Sequence, residues 1–205
     1  MSLEKENHKS DLLRLSLILF GITAAVALLL ALANYVTSPI IQKSAEKRLN
    51  RSLAIVMPDA VDFESINFIA EHVSVGETSV PVVAVYSGLS KDEVNLGYCV
   101  HVAPAGYSDK IEMIVAVDNE CTVRGVRVLS INDTPGVGMK VQSDEEFRNK
   151  VLGLTDSATP VKTTPKNNGE IQVISGATIS SKAYIYGVNA AIEVVRELEQ
   201  EASTQ

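Results

Sequence analysis

Several kinds of chemistry are scarce in this 205-residue chain, and each scarcity excludes something. There are two cysteines, Cys99 and Cys121. Two thiols make no disulfide framework, and neither shows metal-ligand spacing. Cys99 sits in an apolar run, where a buried and inert thiol is the default. A Cys99–Cys121 bridge needs an oxidising compartment, and nothing else in the sequence demands it. The three histidines, His8, His72 and His101, are scattered. A His-metal site or a Ser-His-Asp triad would need the fold to gather them, so isolated surface or half-buried histidines are the expectation. Basic residues are also in deficit: 18 Lys and Arg face 25 Asp and Glu, a net charge of −7. Residues 1–42 hold three of each sign, so the whole excess falls in 43–205. Such a surface repels nucleic acid phosphates and excludes a nucleic-acid role. No repeat recurs at the spacing of a solenoid or propeller.

Charge is missing altogether from Leu15 to Gln42, "LSLILFGITAAVALLLALANYVTSPIIQ". A helix rising about 1.5 Å per residue needs roughly 20 residues to cross a hydrocarbon core of about 30 Å. Residues 15–36 meet that requirement, with Arg14 at one interface and Tyr35 near the other. The competing reading is a cleaved signal peptide, with Lys5, Lys9 and Arg14 as its basic start and "ALA" at Ala31–Ala33 as a cleavage site. The run exceeds the roughly 7–15 apolar residues of such a segment, which favours a retained anchor. Three basic residues precede the span, and Lys43, Lys47, Arg48 and Arg51 follow it. The positive-inside rule therefore leaves the orientation open.

Ser38 as N-cap and Pro39 in the first turn predict a separate linker helix over 37–58, ended by Pro58. Ile40, Ile41, Ala45, Leu49, Leu53 and Val56 give it helical spacing. Residues 59–81 show no clear period and read as helix turns and loop. Four runs rich in Val and Ile follow, at 81–87, 96–103, 110–118 and 122–130, and these predict strands. "NEC" joins the last two as a hairpin. "SDEEFRNKVLG" predicts a short helix with a Ser143–Glu146 capping box and Gly153 as its stop. A polar loop, a strand at 171–175 and a long final helix complete the chain. In that helix Ile185, Val188, Ile192 and Val195 form an apolar stripe, and Glu197, Glu199 and Glu201 face solvent. The expected fold class is α+β: one transmembrane helix, then an antiparallel-sheet domain over 59–205 with flanking helices.

Two motifs carry the chemistry. "ISGATISSKAY" (Ile174–Tyr184) puts four hydroxyls, Ser175, Thr178, Ser180 and Ser181, at the mouth of the last helix, with Ser180 or Ser181 as its N-cap. Unpaired N–H groups and the positive end of the helix dipole stabilise a phosphate there without any acid or base. Lys182 adds a positive charge. Taken by itself, the stretch favours ordinary capping of a strand-to-helix turn over a phosphate site. "TPGVGMK" has neither the dinucleotide fingerprint nor the P-loop ending, and alone it is a turn. Asp133, just before it, is placed to be an acid or base, or to bind its own backbone.

"DTPGVG" (133–138), followed some forty residues later by "SGATISS" (175–181), resembles the FMN-binding domain family of ion-pumping respiratory complexes. Its members include the G subunit of the Rnf complex and the C subunit of the sodium-translocating NADH:quinone reductase. The usual forms are close to E-T-P-G-L-G and S-G-A-T-x-T-S, so Asp133 stands for Glu and Ser180 for Thr. "GY" at Gly97–Tyr98, "GYSDKIEMIVAVD" from Gly106 and the single N-terminal span also fit, with "GYSD" in place of a glycine-rich "GYGG". The resemblance covers roughly 37–199 plus the anchor, and the length matches the Rnf G-subunit branch.

The resemblance implies a covalent FMN, its phosphate esterified to Thr178 by a separate flavin transferase that takes the FMN portion from FAD. Ser175, Gly176, Ala177, Ser180, Ser181 and Lys182 would surround the phosphodiester. Thr134, Pro135, Gly136, Val137 and Gly138 would lie against the isoalloxazine, the two glycines letting backbone approach the ring. It further implies an electron-relay subunit of a ferredoxin:NAD+ oxidoreductase coupled to Na+ or H+ transport, without independent substrate turnover. The partners would be the other membrane subunits of the Rnf complex (A, B, C, D and E). Residues 1–14 would be a cytoplasmic tail and 15–36 the single span of the bacterial inner (cell) membrane, with the domain on the periplasmic or extracellular side. The alternative from a different class is a membrane-anchored, non-enzymatic sensor or ligand-binding module holding an anion or flavin non-covalently.

Overall fold

The computed structural model describes residues 3–68 and 71–202. The chain divides into two compact units, 1–47 and 48–205. Helix α1 (Leu3–Val56) supplies the first unit and the opening of the second. Among the described residues it holds the one segment long and apolar enough to cross a membrane. Its large apolar side chains from Leu15 to Val36 are all at least half exposed. A core helix of a globular domain would bury such a stripe; lipid is the solvent that suits it uncovered. The Thr23 hydroxyl donates back to the Leu19 and Phe20 carbonyls at 3.0 Å, which satisfies it without water.

The expected helix start at Ser38 is not observed. α1 runs unbroken through 38 and 39, and the side chains of Pro39 and Ile40 lie outside the described residues. A proline removes one i to i−4 bond, and helix-forming neighbours on both sides carry the helix across that single loss. The helix ends at Val56, just before Pro58, as expected.

In the second unit, strands β1 (Asp62–Ile66), β2 (His72–Val75), β3 (Thr78–Leu89), β4 (Asn95–Val102), β5 (Glu112–Val117) and β6 (Val123–Ser130) form one antiparallel sheet. Its order is β1-β3-β4-β5-β6, with β2 also pairing β3. The four predicted strands are β3–β6, and the "NEC" hairpin is present: the Asp118 N–H donates to the Thr122 carbonyl at 3.0 Å. β1 and β2 correct the reading of 59–81 as helix turns and loop. Both lie along the long β3, which supplies the pairing that their own short, polar sequences do not announce. Helices α2 (Lys140–Ser143) and α3 (Glu145–Asn149) follow, then β7 (Thr159–Val161), β8 (Glu170–Gln172) and α4 (Thr178–Ala202). β7 corrects the polar-loop reading, since it pairs in parallel with β8. The capping residue of α3 is Asp144, whose carboxylate accepts the Phe147 N–H at 3.0 Å. Ser143 closes α2 instead, its hydroxyl bonded to the Met139 carbonyl.

Strand alternation sorts the core into two faces. Tyr98, Val100, Val102, Met113, Val115 and Val117 pack with α4, where Ile185, Val188, Ile192 and Val195 are fully buried. Each of those four contributes about 1.5–3 kcal/mol of burial free energy. On the other face Cys99, Ile114 and Ala116 meet Leu53 and Val56 at the end of α1 and Met57 just beyond it. Cys99 and Cys121 are both free. Cys99 faces the α1 side, and Cys121 packs against the α4 side, so the sheet itself stands between the two thiols. Burial pushes the Cys99 thiol up to about 12. Glu197 and Glu201 are exposed as expected, whereas Glu199 is only half exposed and hydrogen-bonds Tyr98.

Candidate functional site

The two motifs come together as two similar turns. In the first, the Val137 N–H donates to the Thr134 carbonyl at 3.2 Å. In the second, the Ala177 N–H donates to the Ile174 carbonyl at 3.0 Å. Each has its glycine third, Gly136 at φ +74° and Gly176 at φ +81°, the position where such turns need a left-handed residue. The turns also face each other: a Cβ added at Gly176 would sit 3.9 Å from Val137 Cγ1.

α4 begins at Thr178, directly after the second turn. Its first internal bond runs from the Ser181 N–H to the Ala177 carbonyl at 2.9 Å. The N–H groups of Thr178, Ile179 and Ser180 therefore precede the helical ladder, as at any helix start. Ser180 and Ser181 are not caps, which corrects that expectation. They lie inside the first turn of α4, fully buried. Ser181 Oγ accepts the Ile174 N–H at 3.1 Å, tying the turn to the helix. Ser180 Oγ donates to Asp133 Oδ2 at 2.6 Å. The helix starts earlier than expected because Ala177 closes the glycine turn and needs no side-chain cap.

Asp133 does not bind its own turn. The residue is buried, 6% exposed, and Oδ1 accepts the Ser108 N–H at 2.9 Å. Gly138 exists for this carboxylate: a Cβ there would lie 2.5 Å from Asp133 Cβ and 2.8 Å from Oδ2. Gly138 is thus buried against the chain's own aspartate, and the structure gives it that reason rather than approach to a ring. Asp133 and Ser180, which stand in place of the motifs' usual Glu and Thr, are each other's hydrogen-bond partners.

Two cavities open on either side of Thr178. One, of about 370 Å³, is lined by Tyr107, Asp133, Thr134, Val137, Gly138 and residues 176–180. The other, of about 510 Å³, is lined by Asp144, Glu146, Phe147, Lys150, Lys162, residues 172–176 and Thr178. Both lie in the size range of small-ligand sites. Gly176 and Thr178 belong to both. In the first, Tyr107, Val137 and Ile179 present apolar surface at 68%, 41% and 51% exposure. In the second, Lys150 pairs with Glu146 at 3.7 Å, and the Asp144 carboxylate is taken up by the α3 cap. Behind it Phe147 packs on Tyr184, with ring centroids 5.5 Å apart, and burial raises the Tyr184 phenol.

Of the residues expected at the site, Thr134, Val137, Gly138, Gly176, Ala177, Thr178 and Ser180 line the first cavity, and Ser175 lines the second. Pro135, Gly136, Ser181 and Lys182 line neither. Lys182 is half-buried one turn along α4 from Thr178, on the same face of the helix, and lines neither cavity. Lys150 and Lys162 line the second cavity together with Thr178. Sequence reasoning missed them, along with Tyr107, Ile179 and the bridging role of Asp133. Only Tyr107 carried a signal, as part of "GYSD".

The residues present suit a flavin mononucleotide. A hydroxyl at a helix start would meet the phosphate, and the wall of Tyr107, Val137 and Ile179 would meet the ring. Comparison with known proteins agrees. Residues 106–193 match the family model described as FMN-binding domain. Over 194 residues the chain is 34% identical to the G subunit of the Na(+)-translocating ferredoxin:NAD(+) oxidoreductase complex of Acetobacterium woodii, covering 90% of this chain and 92% of that protein. It is 29% identical to the counterpart in the proton-translocating complex of Clostridium ljungdahlii, with 82% and 83% covered. The crystal structure of the C subunit of the Na(+)-translocating NADH-quinone reductase from Parabacteroides distasonis superposes with a TM-score of 0.54 at 19% identity, over 78% of this chain and 95% of that one. That likeness concerns the fold, and it bears out the α+β expectation. By sequence, motif and fold, the chain belongs to the FMN-binding domain family, on the branch of the G subunits of ion-translocating (Rnf-type) oxidoreductase complexes.

Proposed function

We propose that this chain is the electron-relay subunit of a membrane-bound, ion-translocating ferredoxin:NAD+ oxidoreductase, carrying FMN through a phosphoester to Thr178. The observation that carries the attachment point is the division of labour among the four hydroxyls. Ser180 is spent on Asp133 and Ser181 on the Ile174 N–H. Ser175 is exposed and lines one cavity only. Thr178 alone is half-buried at the lip of both cavities, at the start of α4.

The attachment balances as a transfer. The Thr178 oxygen forms a bond to the FMN phosphorus of FAD, the bond to the AMP portion breaks, AMP leaves and the hydroxyl proton is released. A separate flavin transferase supplies the catalysis, so Thr178 has only to be reachable and the chain needs no base beside it. The N–H groups at the start of α4 favour the phosphodiester charge, and Lys150 and Lys162 add positive charge in the second cavity. When bound, the flavin supplies one- and two-electron chemistry. Tyr107, Val137 and Ile179 would hold it on the apolar wall of the first cavity. The span at 15–36 anchors the domain to the membrane, beside the other membrane proteins of the complex. Covalent attachment suits a domain on the outer face, where a dissociated cofactor would be lost.

Intact-mass measurement tests this. Full-length chain produced with a flavin transferase gains the mass of one FMN residue, and Thr178→Val does not. An unchanged mass for the unmutated chain, or an adduct that survives Thr178→Val, would sink the proposal.

A further inference from the structure

A buried carboxylate is expensive unless its oxygens are satisfied. Asp133 is such a group, and its partners come from different parts of the fold. Oδ1 holds the Ser108 N–H at 2.9 Å, in the turn that carries Tyr107. Oδ2 holds the Ser180 hydroxyl at 2.6 Å, two residues along α4 from Thr178. Its own loop folds over it so closely that position 138 has no room for a Cβ. Tyr107, Val137 and Thr178 stand on three separate segments, and all line the 370 Å³ cavity. One carboxylate joins the three walls, and it is itself part of the lining.

We propose that Asp133 is the positioning residue of the flavin cavity: it clamps the Tyr107 turn and the first turn of α4 into register, and its charge in the cavity wall holds the bound flavin at a more negative potential. This rests on the reading that the cavity takes the flavin attached at Thr178. The electrostatic part follows from Coulomb's law. Adding electrons beside a fixed negative charge in a site of reduced dielectric is unfavourable, so the oxidised form is favoured. The mechanical part follows from the hydrogen bonds. Without them the Tyr107 turn and the α4 start lose the side chain that bridges them both.

The test uses full-length, flavin-loaded chain in detergent, with midpoint potential and visible circular dichroism of the flavin as readouts. Asp133→Asn keeps the size and an acceptor oxygen but removes the charge; its potential moves positive. Ser180→Ala removes one arm of the clamp and changes the flavin's visible dichroism, while Ser180→Thr keeps the hydroxyl and reproduces the unmutated spectrum. Loss of thermal stability alone would mark a merely structural residue, because it moves neither readout. If Asp133→Asn does not fold, the Ser180→Ala and Ser180→Thr pair decides the question. A loaded chain whose potential ignores Asp133→Asn and whose dichroism ignores Ser180→Ala refutes this inference and leaves the flavin reading intact. A chain that takes up no flavin refutes both.

Discussion

Gly136 and Gly138 are two residues apart in one loop, and alanine at each should fail for opposite reasons. At Gly138 the backbone is ordinary, but the new Cβ would lie 2.5 Å from Asp133 Cβ, whereas ordinary contact begins near 3.4 Å. Either the loop or the carboxylate must move by roughly an ångström. Overpacking of that kind costs about 1–3 kcal/mol. Loss of one hydrogen bond to a charged group adds about 1.5–3 kcal/mol. The stiffer unfolded chain returns only about 0.4–1 kcal/mol. The net loss is about 3 kcal/mol. At Gly136 a Cβ meets nothing within 4 Å, but φ is +74°. The left-handed backbone costs a non-glycine residue about 1–2 kcal/mol, and the same unfolded-state gain leaves Gly136→Ala down by about 1 kcal/mol. For a domain of this size each kcal/mol is worth about 2–4 °C in Tm. Gly138→Ala should therefore melt about 6–12 °C lower and Gly136→Ala about 2–4 °C lower. Thermal unfolding of the full chain in detergent, followed by the near-ultraviolet dichroism of its tyrosines, measures both. If Gly138→Ala is as stable as the unmutated chain, or Gly136→Ala is the worse of the two, the packing of Asp133 under position 138 is wrong.

Two further perturbations probe the domain away from the loop. The buried Asn189 side chain clasps one backbone residue: its Oδ1 accepts the Ala158 N–H and its Nδ2 donates to the Ala158 carbonyl, both at 2.8 Å. Asn189→Ala leaves both backbone groups unpaired, at about 1–3 kcal/mol each, and a loss below about 1 kcal/mol in urea unfolding would show that the clasp is dispensable. His101 has its Nε2 buried without a hydrogen-bond partner among the described residues, and burial lowers its pKa from 6.5 while Glu112 partly opposes the shift. The folded state therefore binds its proton later than the unfolded state, so stability is full above about pH 6.5 and falls as pH drops below it. Denaturation midpoints at about pH 7.5 and about pH 5.5, on either side of that value, should differ less in His101→Gln than in the unmutated chain. An equal difference would rule His101 out as the cause.

The legible parts of this fold are those whose sequence carries its own period. β3 to β6 and α4 are rich in apolar residues at strand or helix spacing, and the structure puts them within a few residues of their expected bounds. β1, β2 and β7 were illegible because their reason to be extended lies elsewhere. "DFESI" and "HVSV" become strands because β3 is long enough to pair with both, and Thr159–Val161 because β8 runs alongside it. The α3 cap was legible to within one residue: Asp144 takes the place expected of Ser143, since an extended backbone and an anionic acceptor fall there. The site was half legible. Its motifs named the two turns, but no sequence rule says that Lys182 is held on a packed helix while Lys150 and Lys162, from distant segments, line the cavity beside Thr178.

The crowding of hydroxyls before α4 shows why local pattern alone could not choose among them. Any Ser or Thr at a helix start can cap, and any can accept a phosphoryl group. What separates the four here is the distribution of partners in three dimensions. Two are tied to groups that burial obliges them to satisfy, the Ile174 N–H and the Asp133 carboxylate. Those bonds fix the backbone on either side of Thr178, on the helix by Ser180 and across the turn by Ser181. A hydroxyl that another enzyme must reach has to stay accessible, and a hydroxyl that must hold its product still needs a rigid base. With Thr178 as the proposed attachment point, the chain would meet both demands by giving the rigidity to Thr178's neighbours and leaving Thr178 at the cavity lip. The same logic predicts a split between Ser180→Ala and Thr178→Ser. Thr178→Ser keeps the acceptor and should still take up flavin, whereas Ser180→Ala keeps Thr178 but loosens its seat and should lower the yield of attachment. Equal loading of Ser180→Ala and the unmutated chain, read by intact mass after limited exposure to the transferase, would show that attachment does not depend on the seat and refute this reasoning.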